Sequence, residues 1–214
     1  MKLIISGAIL LSAYSSVAAI PQKTDNVTSH YLSYIKVAFD SSKDMNERWK
    51  ALMSAAELKK VEATPELIKA SADSQWFMKN AAMVALSEYN PIESEKLAKH
   101  LIKDKALVVR SAAVDVLAKS ADPEARKILW KELSAKYNFK NAESLWIRPQ
   151  IVAILIKHPQ DQELASFHDL LKESDLNIQL LAVQGLEKIT GVKLGVKGMA
   201  PTALVKLWKD HKIN

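Results

Sequence analysis

The chain has 214 residues, 49% hydrophobic and 25% charged, with 30 Lys and Arg against 24 Asp and Glu for a net charge of +6. It contains no cysteine, which excludes disulfides and thiol chemistry and leaves stability to packing alone. The lysines are scattered among the acids, so the charge describes a solvated, mildly basic surface; a nucleic-acid backbone would ask for a basic track.

Residues 1–19 carry one charge, Lys2, then a short apolar run from Leu3 to Ala13 and the small residues Val17-Ala18-Ala19. The run falls short of the roughly 20 residues that span a bilayer. The pattern is that of a secretory signal peptide cut after Ala19. Residues 20–214 then form a single repeat domain, expected to be soluble in a bacterial periplasm or outside the cell and not integral to the membrane.

Glycine is almost absent before residue 185, no alternating run suggests strands, and Pro65, Pro91, Pro123, Pro159 and Pro201 each precede an amphipathic run. Proline is tolerated in a first helical turn, where its missing amide has no partner to lose. The predicted fold class is therefore all-α. A first helix is expected at about Val27 to Phe39, with Leu32, Ile35 and Phe39 on one face, and a second at about Asp44 to Val61. Thr64-Pro65 opens a short helix ending near Ala72, and Asp73-Ser74 starts one that runs to about Glu88. Asn90-Pro91 and Asp122-Pro123 open two more, with a helix from Asp104 between them. Ser144 to Lys157, Pro159 to Lys172, Ser174 to Ile189 and Pro201 to Lys212 complete the series. Pro149 lies past the first turn of a helix begun at Ser144, so it should kink that helix or displace its start.

Asp73 to Leu86, DSQWFMKNAAMVAL, superimposes on Asp104 to Leu117, DKALVVRSAAVDVL, thirty-one residues later. The cation of this motif recurs at Arg48, Lys79, Arg110 and Arg148, with Gln179 in the last copy. Seven residues further on stand Ala55, Leu86, Leu117, Leu155 and Leu186. Every step is 31 residues except the one from Arg110 to Arg148, which is 38, and the surplus lies in AKYNFKNAES between Leu133 and Leu145. A two-helix unit cannot bury its apolar face alone, so such units stack and share one core.

The D-x5-[KR]-x-A-A-x3-L pattern, following a helix opened by proline, resembles the HEAT-repeat family, in the form of a bacterial exported protein. The resemblance implies a right-handed α-solenoid of about five helix hairpins over 27–61, 65–89, 91–120, 123–157 and 159–189, with a capping helix at 200–212. Each unit would be an A helix followed by a B helix, the B helices lining the concave side. It also implies a ladder of hydrogen bonds between turn acid and B-helix cation, which Asp73, Lys79, Asp104 and Arg110 match. Arg48 and Arg148 have Ser42 and Ala142 six residues earlier and so lack the acid there. Gln179 follows Glu173 but cannot form an ion pair with it.

Sequence patterns for catalysis are missing: there is no G-x-S-x-G elbow and no H-E-x-x-H pair, and His30, His100, His158, His168 and His211 fall on separate elements. No catalytic residue, metal or cofactor is expected. The leading expectation is a non-catalytic scaffold that binds a protein or peptide, and not nucleic acid, on the B-helix face or the 136–149 insert. In the insert and its flanks the candidate binding residues are Trp130, Lys136, Tyr137, Phe139, Lys140 and Trp146, because departures from a regular scaffold are where binding residues tend to sit. On the B helices, the row one past the cation reads Trp49, Asn80, Ser111, Pro149, Leu180. The row five past it reads Met53, Val84, Asp115, Ala153, Gln184. The alternative is an enzyme or small-ligand binder using the aromatic insert or the loop TGVKLGVKG at 190–198. It calls for a deep pocket with Asp115 or Glu143 beside Trp130 or Trp146.

Overall fold

The computed structural model describes residues 23–212, so the proposed signal peptide and its cleavage point lie outside the described residues. The chain is mostly helical. Helices α1 (Lys23–Ala38) and α2 (Met45–Lys59) pack together, and a 3-10 turn at Lys60–Ala63 leads into α3 (Thr64–Ser71). Then follow α4 (Trp76–Tyr89), α5 (Pro91–Leu101), α6 (Leu107–Leu117) and α7 (Pro123–Leu133). A 3-10 turn at Lys136–Asn138 and two short antiparallel strands, β1 (Phe139–Lys140) and β2 (Glu143–Ser144), precede α8 (Ile147–Leu155). The chain ends with a 3-10 turn at Asp161–Glu163, α9 (Leu164–Leu170), α10 (Leu176–Thr190) and α11 (Pro201–Asp210). None of the described helices is long and apolar enough to cross a membrane.

The even-numbered helices pack on one another in order, α2 on α4, α4 on α6, α6 on α8 and α8 on α10, while each odd helix from α1 to α9 packs on the even helix that follows it. Helix α11 packs on α10. Leu86, Leu117, Leu155 and Leu186 are all buried, and burying a leucine is worth about 1.5–3 kcal/mol. Ala81, Ala82 and Ala113 are buried between helices, where a larger side chain would hold the backbones apart. The buried apolar residues form two clusters, one spanning α1 to α4 and one running from α4 to α11. Helix α4 contributes to both, Ala82 and Leu86 to the first and Met83 to the second, and Leu97 packs against each. Trp208, fully buried, anchors α11 to the second.

Local chemistry explains the element ends. Asp44 caps α2 in a reciprocal box with Glu47, and Asn90, Asp122 and Asp175 cap α5, α7 and α10. Gly191, at φ 71°, ends α10 in the left-handed conformation that only glycine adopts cheaply.

Several expected boundaries are corrected. Asp73 and Asp104 do not start helices. Their carboxylates accept from the amides of Gln75 and Ala106 two residues on, an Asx turn that delays α4 to Trp76 and α6 to Leu107. Pro149 produces a displaced start and not an interior break: α8 begins at Ile147, so proline occupies its first turn. Pro159 stands ahead of a 3-10 turn and opens no helix. The insert, in a chain whose sequence suggests no strands, folds into a small hairpin. Its tip, Asn141-Ala142, has positive φ at both residues (52° and 66°), as a tight turn of the kind that matches strand twist requires.

Helices α9 and α10 approach each other closely at Gly185. A β-carbon there would stand 2.7 Å from the ring of Phe167, which is itself fully buried. Gly185→Ala is therefore expected to destabilise the protein by about 1–3 kcal/mol, read as a lowered midpoint of thermal unfolding.

Candidate functional site

The repeated cations sit at the starts of the even helices and reach the turn that begins the next one. Arg48 donates from Nη2 to Asp73 at 2.7 Å and from Nε to the carbonyl of Ala38 at 2.9 Å. Lys79 Nζ lies 2.6 Å from Asp104, and Arg148 Nη2 lies 2.7 Å from Glu173. Each of these pairs spans 25 residues. The acid six residues before a cation is thus not its partner, and Arg48 and Arg148 are paired after all. Asp73 holds Arg48, Asp104 holds Lys79, and Arg110 meets Asp104 only through the backbone carbonyl, at 2.7 Å. Gln179 closes the series by donating to the carbonyls of Leu171 and Glu173.

Twenty-five residues beyond Arg110 stands Ala135, which offers no carboxylate. The insert supplies the missing acceptors. Arg110 donates from Nε to Asn138 Oδ1 at 3.0 Å and from Nη2 to the carbonyl of Tyr137 at 3.0 Å. Asn138 is completely buried, its amide donating to the carbonyl of Glu132 at 2.8 Å. The Tyr137 hydroxyl donates to the buried carboxylate of Glu132 at 2.6 Å. The guanidinium of Arg110 lies 5.3 Å from the Tyr137 ring centroid, and that of Arg148 lies 4.1 Å from the Phe139 centroid.

The electrostatics follow this geometry. Burial pushes the Asp104 carboxyl up, but the Lys79 ammonium and the Ala106 amide outweigh it and hold the group below its ordinary value. Glu163 behaves alike: burial raises it, and hydrogen bonds from Arg126, Trp130 and the Gln160 amide bring it down further than burial lifts it. Burial and the hydrogen bond to Glu132 both raise the Tyr137 phenol. Burial lowers Arg110 against the opposing pull of Tyr137, Asp104 and Glu132.

Of the six residues singled out for partner binding, Lys136, Tyr137, Lys140 and Trp146 are exposed and Trp130 and Phe139 are half-buried. Trp130 is half-buried, with Nε1 donating to Glu163 at 2.6 Å and its ring edge-to-face with Phe167 at 4.9 Å. Tyr137 and Phe139 are engaged with the two arginines. Tyr137 stays exposed despite its contact with Arg110. In the 190–198 loop, Val192 and Leu194 pack on the core while Lys193 and Lys197 face solvent, the arrangement of a connector. A cleft of about 570 Å³ contains Asp115, but neither Trp130 nor Trp146 lines it, and Glu143 sits on the exposed hairpin. Among the described residues no three His, Cys, Asp or Glu side chains are grouped to hold a metal ion.

A surface feature of which only Trp146 was singled out from the sequence runs along the starts of the even helices. Met45, Trp76, Val108, Trp146 and Leu176 are each more than a third exposed, one at the start of each of α2, α4, α6, α8 and α10. Trp76 lies seven residues before buried Met83, so helical periodicity alone assigns it to the core. Its position in the first turn, at the end of its own helix, leaves it more than a third exposed. No protein-family model matches the chain, and no curated protein matches it in sequence.

Asn138→Ala is expected to leave Arg110 buried without its side-chain acceptor and to destabilise the fold by roughly 2–4 kcal/mol in denaturant unfolding, several times the effect of Lys140→Ala. Acid is expected to act through Asp104 and Glu163. Their folded values lie below their unfolded ones, so their stabilisation is present in full above the ordinary carboxylate range near pH 4 and is lost as pH falls through the folded values. The double variant Asp104→Asn/Glu163→Gln should start less stable at neutral pH and lose less on acidification, measured by urea unfolding at pH 7 and pH 3.

Proposed function

We propose that this chain is a non-catalytic scaffold of the periplasm or cell exterior, built as a HEAT-like α-solenoid of about five units, which binds a protein or peptide along its even helices. The ordered packing of α2, α4, α6, α8 and α10, with one cation at the start of each of the first four, supports the repeat reading. The leader-like pattern of residues 1–19 supports export.

The observation that carries the binding reading is the row Met45, Trp76, Val108, Trp146 and Leu176. Isolated surface apolar residues are ordinary, but one at the same end of each of the five even helices from α2 to α10 makes a line. Tryptophan is also enriched at the energetic centres of protein interfaces. The insert enters this reading as a support, with Trp146 at its end contributing to the row.

The test is retention of a partner by immobilised protein from the secreted or periplasmic fraction of its own source. The wild type is expected to hold a discrete protein in stoichiometric amount. Trp76→Ser/Trp146→Ser, with unchanged thermal stability, should lose at least about tenfold of that retention, the equivalent of ~1.4 kcal/mol. Equal retention by the variant removes the row from the interface.

A further inference from the structure

The positive charge of this chain is unevenly placed. Residues 1–191 hold 25 Lys and Arg against 23 Asp and Glu, so the scattered pattern read from the sequence holds there. Residues 192–214 hold five lysines against one acid, Asp210, which puts +4 of the chain's +6 at the α11 end.

Two segments bring these lysines together. In the connector before α11, Val192 and Leu194 pack on the core and Lys193 between them is exposed. The connector lies across α11 at Gly195, where a β-carbon would stand 3.2 Å from the Leu204 side chain. Just past this crossing the chain reverses. The Met199 amide donates to the Val196 carbonyl at 3.1 Å, and Gly198 takes φ 84°, as the third position of such a turn requires. The turn holds Val196, 69% exposed, and Lys197 in solvent. On α11, Val205 and Trp208 are buried, and Lys206 and Leu207, within one turn of Leu204, are exposed.

The acids near this end lie on its other side. Asp210 and Asp169 line the groove toward α9 with Lys209, His211 and Lys212, and Asp169 is held there by Lys172 at 2.7 Å. Asp161 lines a neighbouring groove with His211, Lys212 and Val192. That side is mixed in sign. The connector side presents Lys193, Lys197 and Lys206 with Val196 and Leu207, and none of these three lysines forms an ion pair among the described residues.

We propose that the connector side of the α11 end docks the protein on an anionic phospholipid bilayer, with the lysines at the headgroup phosphates and Val196 and Leu207 between the headgroups. The surface potential of an anionic leaflet attracts clustered lysines, and apolar side chains rising among them gain by leaving water. The apolar face of α11 is already committed to the core through Val205 and Trp208, so the docking is peripheral, without helix insertion, and sensitive to salt. A single-stranded nucleic acid is gripped by arginine and stacking aromatics. Residues 192–214 contain no arginine, tyrosine or phenylalanine, and their tryptophan is buried. The proposal takes from the scaffold reading only its export, which brings the chain to a membrane surface; it does not depend on the row along the even helices.

The experiment is co-sedimentation of the chain lacking residues 1–19, which keeps every described residue, with two kinds of vesicle. One is pure phosphatidylcholine and the other is two parts phosphatidylcholine to one part phosphatidylglycerol. The protein is expected to pellet with the anionic vesicles alone and to be released by added sodium chloride. Lys197→Glu/Lys206→Glu, with unchanged thermal stability, should weaken the partition at least about tenfold. Lys119→Glu/Lys157→Glu, the same change of charge beyond the ends of α6 and α8, should leave it unchanged. Val196→Ser should weaken it too, and wild-type binding by that variant overturns the place given to Val196. Equal pelleting with both vesicles, no pelleting, or equal loss in the two charge variants overturns the proposal. So does release by inorganic phosphate matched to the vesicle phosphate, which marks a phosphate site, or heparin binding through Lys197 and Lys206 while the vesicles fail. The scaffold reading is judged separately: a partner lost in Trp76→Ser/Trp146→Ser but retained in Lys197→Glu/Lys206→Glu, alongside failed vesicle binding, removes the membrane docking and leaves the scaffold standing.

Discussion

A cation at the start of one helix, held by the acceptors at the start of the next, is the constraint on which the stack depends. These even helices lie side by side with their positive ends together, an arrangement that aligned peptide dipoles disfavour. The carboxylates of Asp73, Asp104 and Glu173 lie at that end, two of them also accepting backbone amides, so each offsets both a helix terminus and a side-chain cation. The arginines are nearly buried, and a buried guanidinium is tolerable only if its donors are filled. They are filled redundantly: Arg48 reaches the carbonyl of Ala38, Arg148 that of Leu133 and the Ser144 hydroxyl, and Arg110 four separate oxygens.

The insert is best understood as a repair of this row. Where the acid is missing, seven additional residues bring Asn138 under Arg110 and Phe139 over Arg148, so two successive cations keep partners across an irregular step. The departure from the 31-residue spacing marks a position where the scaffold is completed by other means.

Helical content, the positions of most helices and the buried leucines were legible because they rest on local chemistry. Proline in first turns, capping residues and apolar spacing all act within a few residues. The partner of each cation was not legible in the same way, since the motif shows an acid six residues before the cation while the pair forms with one twenty-five residues after it. Trp76 shows the other limit. Periodicity assigns a residue to a face but says nothing of its height along the axis, and a side chain on the core face remains exposed if no neighbour extends that far. The short strands escaped because two residues each are too few to alternate, and because the turn between them uses Ala142 where glycine would have announced it.

The hairpin tip at Asn141 and Ala142 projects from a segment whose two ends are pinned, Asn138 beneath Arg110 and Ser144 beside Arg148. Chain entering through one clamp leaves through the other close by, so the helices on either side are insensitive to how much polypeptide lies between. Loop closure becomes only slowly more unfavourable with length. The tip is thus a natural splice point, where a longer segment or a foreign epitope can be carried on the array without changing the phase of the helices that follow.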